Sequence, residues 1–174
     1  MIEPDTKDWT WVLERPCPDC GFDPASVDLA AVPRLIRGNA ASWPLVLASE
    51  RAAQRPAEHV WSPLEYACHV RDVHLLFDER VHLMLDHEVP TFANWDQDAT
   101  AVESDYGAQV PSVVGDELVA AAERIASTYA AVEDADAQRR GLRSNGDVFT
   151  IDTIARYHLH DVVHHAHDVA HVLR

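Results

Sequence analysis

The stretch WSPLEY, Trp61–Tyr66, marks a helix start more firmly than any other signal in the chain. Ser62 suits the N-cap, Pro63 suits the first helical position, Glu65 completes a capping box, and Trp61 is placed to staple onto Tyr66. Ala67, Val70, Val73, Leu76, Phe77, Val81 and Leu85 then recur at helical intervals as far as about Asp86. A helix of that length with an apolar stripe needs other long helices to cover it.

Three candidates are present. The alanine-rich run ELVAAAERIASTYAAV belongs to a helix from about Ser112 to Val132. The last helix opens at FTIDTIARY, with Thr150 as cap and Phe149 packing on Ile154, after a turn at Asn145–Asp147. A first helix, about Leu29 to Arg51, must kink or split at Pro33 and Pro44. Between Asp86 and Pro111 some 25 residues lack a helical period, and such a length in a compact domain points to a functional loop. Phe92, Trp95 and Tyr106 in it favour an ordered one. No strand is predicted. The expectation is an all-α four-helix bundle over residues 29–174, with a long crossover between its second and third helices and an N-terminal extension over residues 1–28.

Fourteen Lys+Arg against 29 Asp+Glu, a formal net charge of −15, argue against nucleic-acid and anionic-membrane partners. With no export signal and no apolar run of the roughly 20 residues a membrane span requires, the expected location is the cytoplasm. Cys17, Cys20 and Cys68 do not make a disulfide framework. The pair in CPDC reads as half of a zinc knuckle, a redox pair or two packing residues, and the last is favoured because no partners for a four-ligand zinc site stand nearby in the sequence.

The segment YHLHDVVHHAHDVAH, Tyr157–His171, carries six of the eleven histidines. At about 100° per residue, His160, His164, His167 and His171 form one stripe, while His158 and His165 point away and read as surface or packing residues. An i, i+4 histidine pair can converge on one cation, and His69 on the second helix offers a third ligand. Three imidazoles would leave a coordination position open to water or substrate, the layout of a catalytic site. Periodicity leaves open whether His69 meets His160 and His164 or His167 and His171.

WSPLEYACHV followed late in the chain by YHLHDVVHH resembles the DinB-like superfamily of metal-binding bundles. The resemblance implies an up-down-down-up bundle. It also implies a divalent ion, zinc or nickel, on one histidine of the second helix and an HxxxH pair of the fourth, which here are His69, His160 and His164. Relatives include bacillithiol- and mycothiol-dependent S-transferases and the N-terminal domains of mycothiol-dependent maleylpyruvate isomerases; in the isomerase branch the pair tends to read ExxxH. The implied function is a metal-dependent transferase or isomerase using a low-molecular-weight thiol on a small-molecule substrate. A metal-dependent hydrolase and a non-enzymatic metal-binding bundle are the alternatives. Asp72 and Asp161 are candidates to orient the ligand imidazoles, Trp95 and Tyr106 to wall the substrate pocket, and Arg71, Arg80 or Arg156 to assist an anionic thiol. Long Ala- and Val-rich helices suggest a homodimer.

Overall fold

The computed structural model describes residues 8–172. Its helices are α1 (Val32–Ala40), α2 (Trp43–Leu47), α3 (Pro63–Asp86), α4 (Gln97–Glu103), α5 (Pro111–Ala130) and α6 (Ile151–Val172). Pro33 and Pro44 sit in the first turns of α1 and α2, so the expected first helix is split in two. The start of α3 has the capping box in full: the Ser62 hydroxyl accepts from the Glu65 N–H, and the Glu65 carboxylate accepts from the Ser62 N–H at 2.8 Å. Trp61 staples onto Tyr66 with ring centroids 5.5 Å apart. Thr150 caps α6, its hydroxyl accepting from the Thr153 N–H at 3.1 Å.

Pairwise contacts set the bundle's directions. Arg71 meets Glu117, and Asp78 meets Arg124 and Thr128, so α3 and α5 run parallel. His69 meets Asp161 while His74 meets His158, so α6 runs antiparallel to α3. Arg37 meets Glu123 while Leu47 lies against Gly115, so α1–α2 and α5 are antiparallel. The result is an all-α, up-down-down-up four-helix bundle in which α3 and α1 each pack between α5 and α6. Parallel α3 and α5 require a long crossover, and the 86–111 segment supplies it.

Two details depart from the sequence expectation. The crossover is partly helical, with α4 capped by Asp96 and a 3₁₀ turn at Tyr106–Ala108. Before α6 there is a small antiparallel hairpin of β1 (Arg140–Leu142) and β2 (Val148–Thr150). Three residues per strand are too few to show alternation in the sequence. Gly141 faces Phe92 so closely that a Cβ there would lie 2.2 Å from the ring, which lets β1 lie against the crossover. Among the described residues no helix is long and apolar enough to cross a membrane.

Candidate metal centre

On α6 the sequence His160-Asp161-Val162-Val163-His164-His165 interleaves two i, i+4 pairs, rotated from each other by about 100°. One pair faces α3 and the other faces the N-terminal segment.

Asp161 and His165 meet His69 of α3, and the candidate ligand atoms of the three lie within 4.8 Å of one another. Asp161 Oδ1 is 3.6 Å from His69 Nε2 and 3.7 Å from His165 Nε2. His69 is fully buried, and neither of its ring nitrogens has a hydrogen-bond partner. Two orphaned nitrogens on one buried imidazole are costly in a folded interior, and a cation shared with Asp161 and His165 removes that cost at the nitrogen facing them. Trp61 and Trp95 flank the His69 ring at 5.3 Å and 5.5 Å, the latter stacked. Burial holds the His69 pKa below its ordinary value, keeping the imidazole neutral. Burial alone would raise Asp161, but His69 and His165 outweigh it and keep the carboxyl ionised. Asp168 Oδ2 lies 3.1 Å from His165 Nδ1, so this nitrogen carries the proton and Nε2 is left as the metal-facing atom.

Asp161, His165 and Trp95 line a cavity of about 610 Å³ together with Trp9, Trp61 and Tyr66. Asp19, Asp96, Asp98 and Asp168 make its wall acidic, against one guanidinium, Arg143, which is 3.5 Å from Asp147. Burial pushes the Tyr66 phenol up to about 12, so it stays a donor at neutral pH.

His160 and His164 gather instead with Cys17 and Cys20, their ligand atoms again within 4.8 Å of one another. Cys17 Sγ is 3.6 Å from His164 Nδ1. The CPDC turn is closed by the Gly21 N–H donating to the Cys17 carbonyl at 2.9 Å and the Cys17 N–H donating to the Phe22 carbonyl at 2.8 Å. Gly21 has φ +74°, the left-handed conformation this turn needs. Burial and the neighbouring Cys17 raise the Cys20 thiol to about 11. Burial and His164 lower the His160 pKa to about 4.

The structure therefore separates the trio expected from the resemblance: His69 groups with Asp161 and His165, whereas His160 and His164 face the cysteines. The reason is the rotation of α6 about its axis, which turns the pair one residue later towards α3. Asp161, expected to orient an imidazole, lies with His69 and His165 in the candidate ligand group, and Asp168 is the carboxylate bound to His165. Asp72 accepts from the Tyr106 hydroxyl at 2.5 Å and from Arg71 Nε at 2.8 Å, and so ties the crossover to α3. Tyr106 is buried and does not line the large cavity, whereas Trp95 does. His165 is the site residue that the stripe argument passed over; the acidic first position of DxxxH, parallel to ExxxH, was the signal for it. His158 is a packing residue, its Nε2 2.9 Å from His74 Nδ1.

No family model and no curated protein matches this chain. Among solved structures it is similar to YfiT from Bacillus subtilis, with a TM-score of 0.76 and 15% identity over 83% of this chain and 85% of that one. YfiT is described as a probable metal-dependent hydrolase with an unusual four-helix bundle topology. The likeness shows a common fold, in agreement with the bundle expected from the DinB-like resemblance.

Proposed function

We propose that this chain is a metal-dependent enzyme whose divalent ion is held by His69, Asp161 and His165. One observation carries the reading: a fully buried imidazole with no hydrogen-bond partner at either nitrogen lies 3.6 Å from a carboxylate and against a second imidazole, both opening onto a cavity of about 610 Å³. Two imidazoles and a carboxylate are a donor set that suits zinc as well as other divalent first-row ions, and they leave coordination positions free. Bound there, an ion would polarise a substrate oxygen and acidify a water or thiol.

The chain's own groups do the rest. Asp168 accepts a hydrogen bond from His165 Nδ1–H and fixes that ring's tautomer. Trp61 and Trp95 shield His69 from water. Tyr66, on the cavity wall, offers a neutral hydroxyl to charge developing on a substrate oxygen. The acidic wall favours a neutral or cationic substrate over an anion. Arg71 is bound to Asp72 and Glu117, Arg156 is bound to Asp152, and neither lines this cavity. Arg80 lies in a smaller pocket against Phe77 and Phe92, which shares Trp95, Arg143, Tyr157 and Asp161 with the large cavity. Arg80 beside Asp161 and Arg143 on the wall are outnumbered by the carboxylates there, so hydrolysis of a small neutral or amine-bearing substrate is the leading reaction. Transfer to or from an uncharged thiol is the second reading, supported by the DinB-like resemblance and by a cavity roomy enough for two reactants.

The test is turnover of ester, amide and electrophilic substrates by metal-replete protein, with and without low-molecular-weight thiols, in wild type, Asp161→Asn and His165→Ala. Turnover in water that both substitutions remove supports the hydrolase, and a strict thiol requirement supports the transferase. Turnover indifferent to both substitutions would refute the site.

A further inference from the structure

We infer that Cys17, Cys20, His160 and His164 form a second, closed metal site, tetrahedral and suited to zinc, that fastens the N-terminal segment to α6. The four candidate ligand atoms already lie within 4.8 Å of one another, although they come from segments some 140 residues apart in the chain. Zinc at about 2.3 Å from sulfur and about 2.0–2.1 Å from nitrogen puts neighbouring ligands of a tetrahedron about 3.6 Å apart. Cys17 Sγ and His164 Nδ1 are 3.6 Å apart. His160 Nε2 is a buried nitrogen with no hydrogen-bond partner in the same region.

The chemistry selects the ion. Two thiolates and two imidazoles are soft and borderline donors, the set that zinc takes in four-coordinate structural sites, whereas magnesium and calcium demand oxygen. Binding releases two protons, one from each thiol, and the thiolates neutralise the dication. All four positions are filled by protein, so nothing is left for a substrate. A redox pair fits the same residues less well, because Cys17 is only 1% exposed and an exchanging thiol needs access. The Cys17–Gly21 turn, closed by backbone hydrogen bonds, presents two sulfurs from one short loop.

The placement ties this site to the cavity next to it. Trp9 packs on His160 and His164 at 5.6 Å and 5.1 Å, and Trp9 and Asp19 both line the large cavity. His160 and His164 line that cavity as well, and His164 Nε2 lies 3.9 Å from Asp168, so the second ion would hold part of the cavity wall in place beside the open group.

X-ray absorption at the zinc edge on reduced, zinc-loaded protein separates this site from the other, because only this one contains sulfur. The inference predicts a sulfur shell near 2.3 Å. That shell should survive in Asp161→Asn and His165→Ala and disappear in Cys17→Ser/Cys20→Ser. Cobalt substitution gives a second reading of the wild type: thiolate-to-cobalt charge transfer and strong tetrahedral ligand-field bands. A wild-type spectrum with nitrogen and oxygen ligands only, or a Cys17–Cys20 disulfide that persists under reductant and excludes zinc, would overturn the inference. Loss of the proposed enzymatic activity alone would not, since that depends on the sulfur-free group.

Discussion

The two groups of side chains on α6 are built from pairs of the same spacing and differ in what surrounds them. His160 and His164 are met by two thiols on a tight turn and packed under Trp9 and Phe22, so four protein donors converge there even though both rings also border the cavity. Asp161 and His165 are met by one imidazole from α3, with a cavity on the remaining side. Saturated ligation gives structure and unsaturated ligation gives reactivity, so in the proposed assignment a rotation of about 100° on one helix separates the two roles. A third group gives the contrast without a cation. His74 and His158 are buried with Nδ1 and Nε2 2.9 Å apart, and His158 Nδ1 is 3.3 Å from the Tyr129 hydroxyl; His74 Nε2 has no hydrogen-bond partner, but among the described residues no carboxylate or thiol joins the pair to make a ligand group.

The largest effect expected from breaking the comparison is on turnover. Asp161→Asn keeps the shape but removes the charge that holds the ion, and activity should fall about 10³-fold, corresponding to the several kcal/mol a Lewis acid supplies. Circular dichroism should stay that of the wild type; a parallel loss of helix would mean that Asp161 holds the fold rather than the ion.

The closed group should respond the other way. Cys17→Ser/Cys20→Ser should lower the stability of zinc-loaded protein by about 4 kcal/mol, the linkage expected for an ion at roughly a thousandfold excess over its dissociation constant. Chelation of the wild type should approach the same denaturation midpoint, and limited proteolysis should then cut between Trp9 and Phe22. Equal midpoints for variant and wild type with zinc present would remove the structural role.

The packed pair sharpens the contrast through pH. Burial lowers His74 from 6.5 to about 4 and His158 well below its ordinary value. Both are depressed bases, so the unfolded chain takes up protons first as pH falls. Stability is full above about pH 6.5 and declines from there, with His74 alone costing about 3 kcal/mol by about pH 4. His74→Gln should flatten that decline in urea titrations of metal-free protein, and an unchanged slope would contradict the neutral-buried assignment. The smallest effect belongs to Asp168→Asn, which weakens the fixing of the His165 tautomer. Metal affinity at the open site should drop about 10- to 100-fold, measurable by competition with a chelator, and the sulfur-bearing site, where Asp168 stands farther off at 3.9 Å from His164 Nε2, should lose less.

Local chemistry made much of the fold legible. Ser62, Pro63 and Glu65 announce the start of α3, Thr150 announces α6, and Pro33 and Pro44 announce the break between α1 and α2, all through interactions within a few residues. The β1–β2 hairpin escaped because three-residue strands carry no period. The site was half legible. His69 follows from a capped helix, but HDVVHH holds HxxxH and DxxxH together, and only the packing of α6 against α3 decides which pair turns inward. The partners of Cys17 and Cys20 lie about 140 residues away, where spacing carries no information.

Anomalous diffraction at the zinc edge from crystals of zinc-loaded protein locates the ions themselves. Two peaks per chain are predicted, one bounded by His69, Asp161 and His165 beside the cavity, the other by Cys17, Cys20, His160 and His164. A single peak bridged by His69, His160 and His164, with the cysteines unligated, would contradict the account.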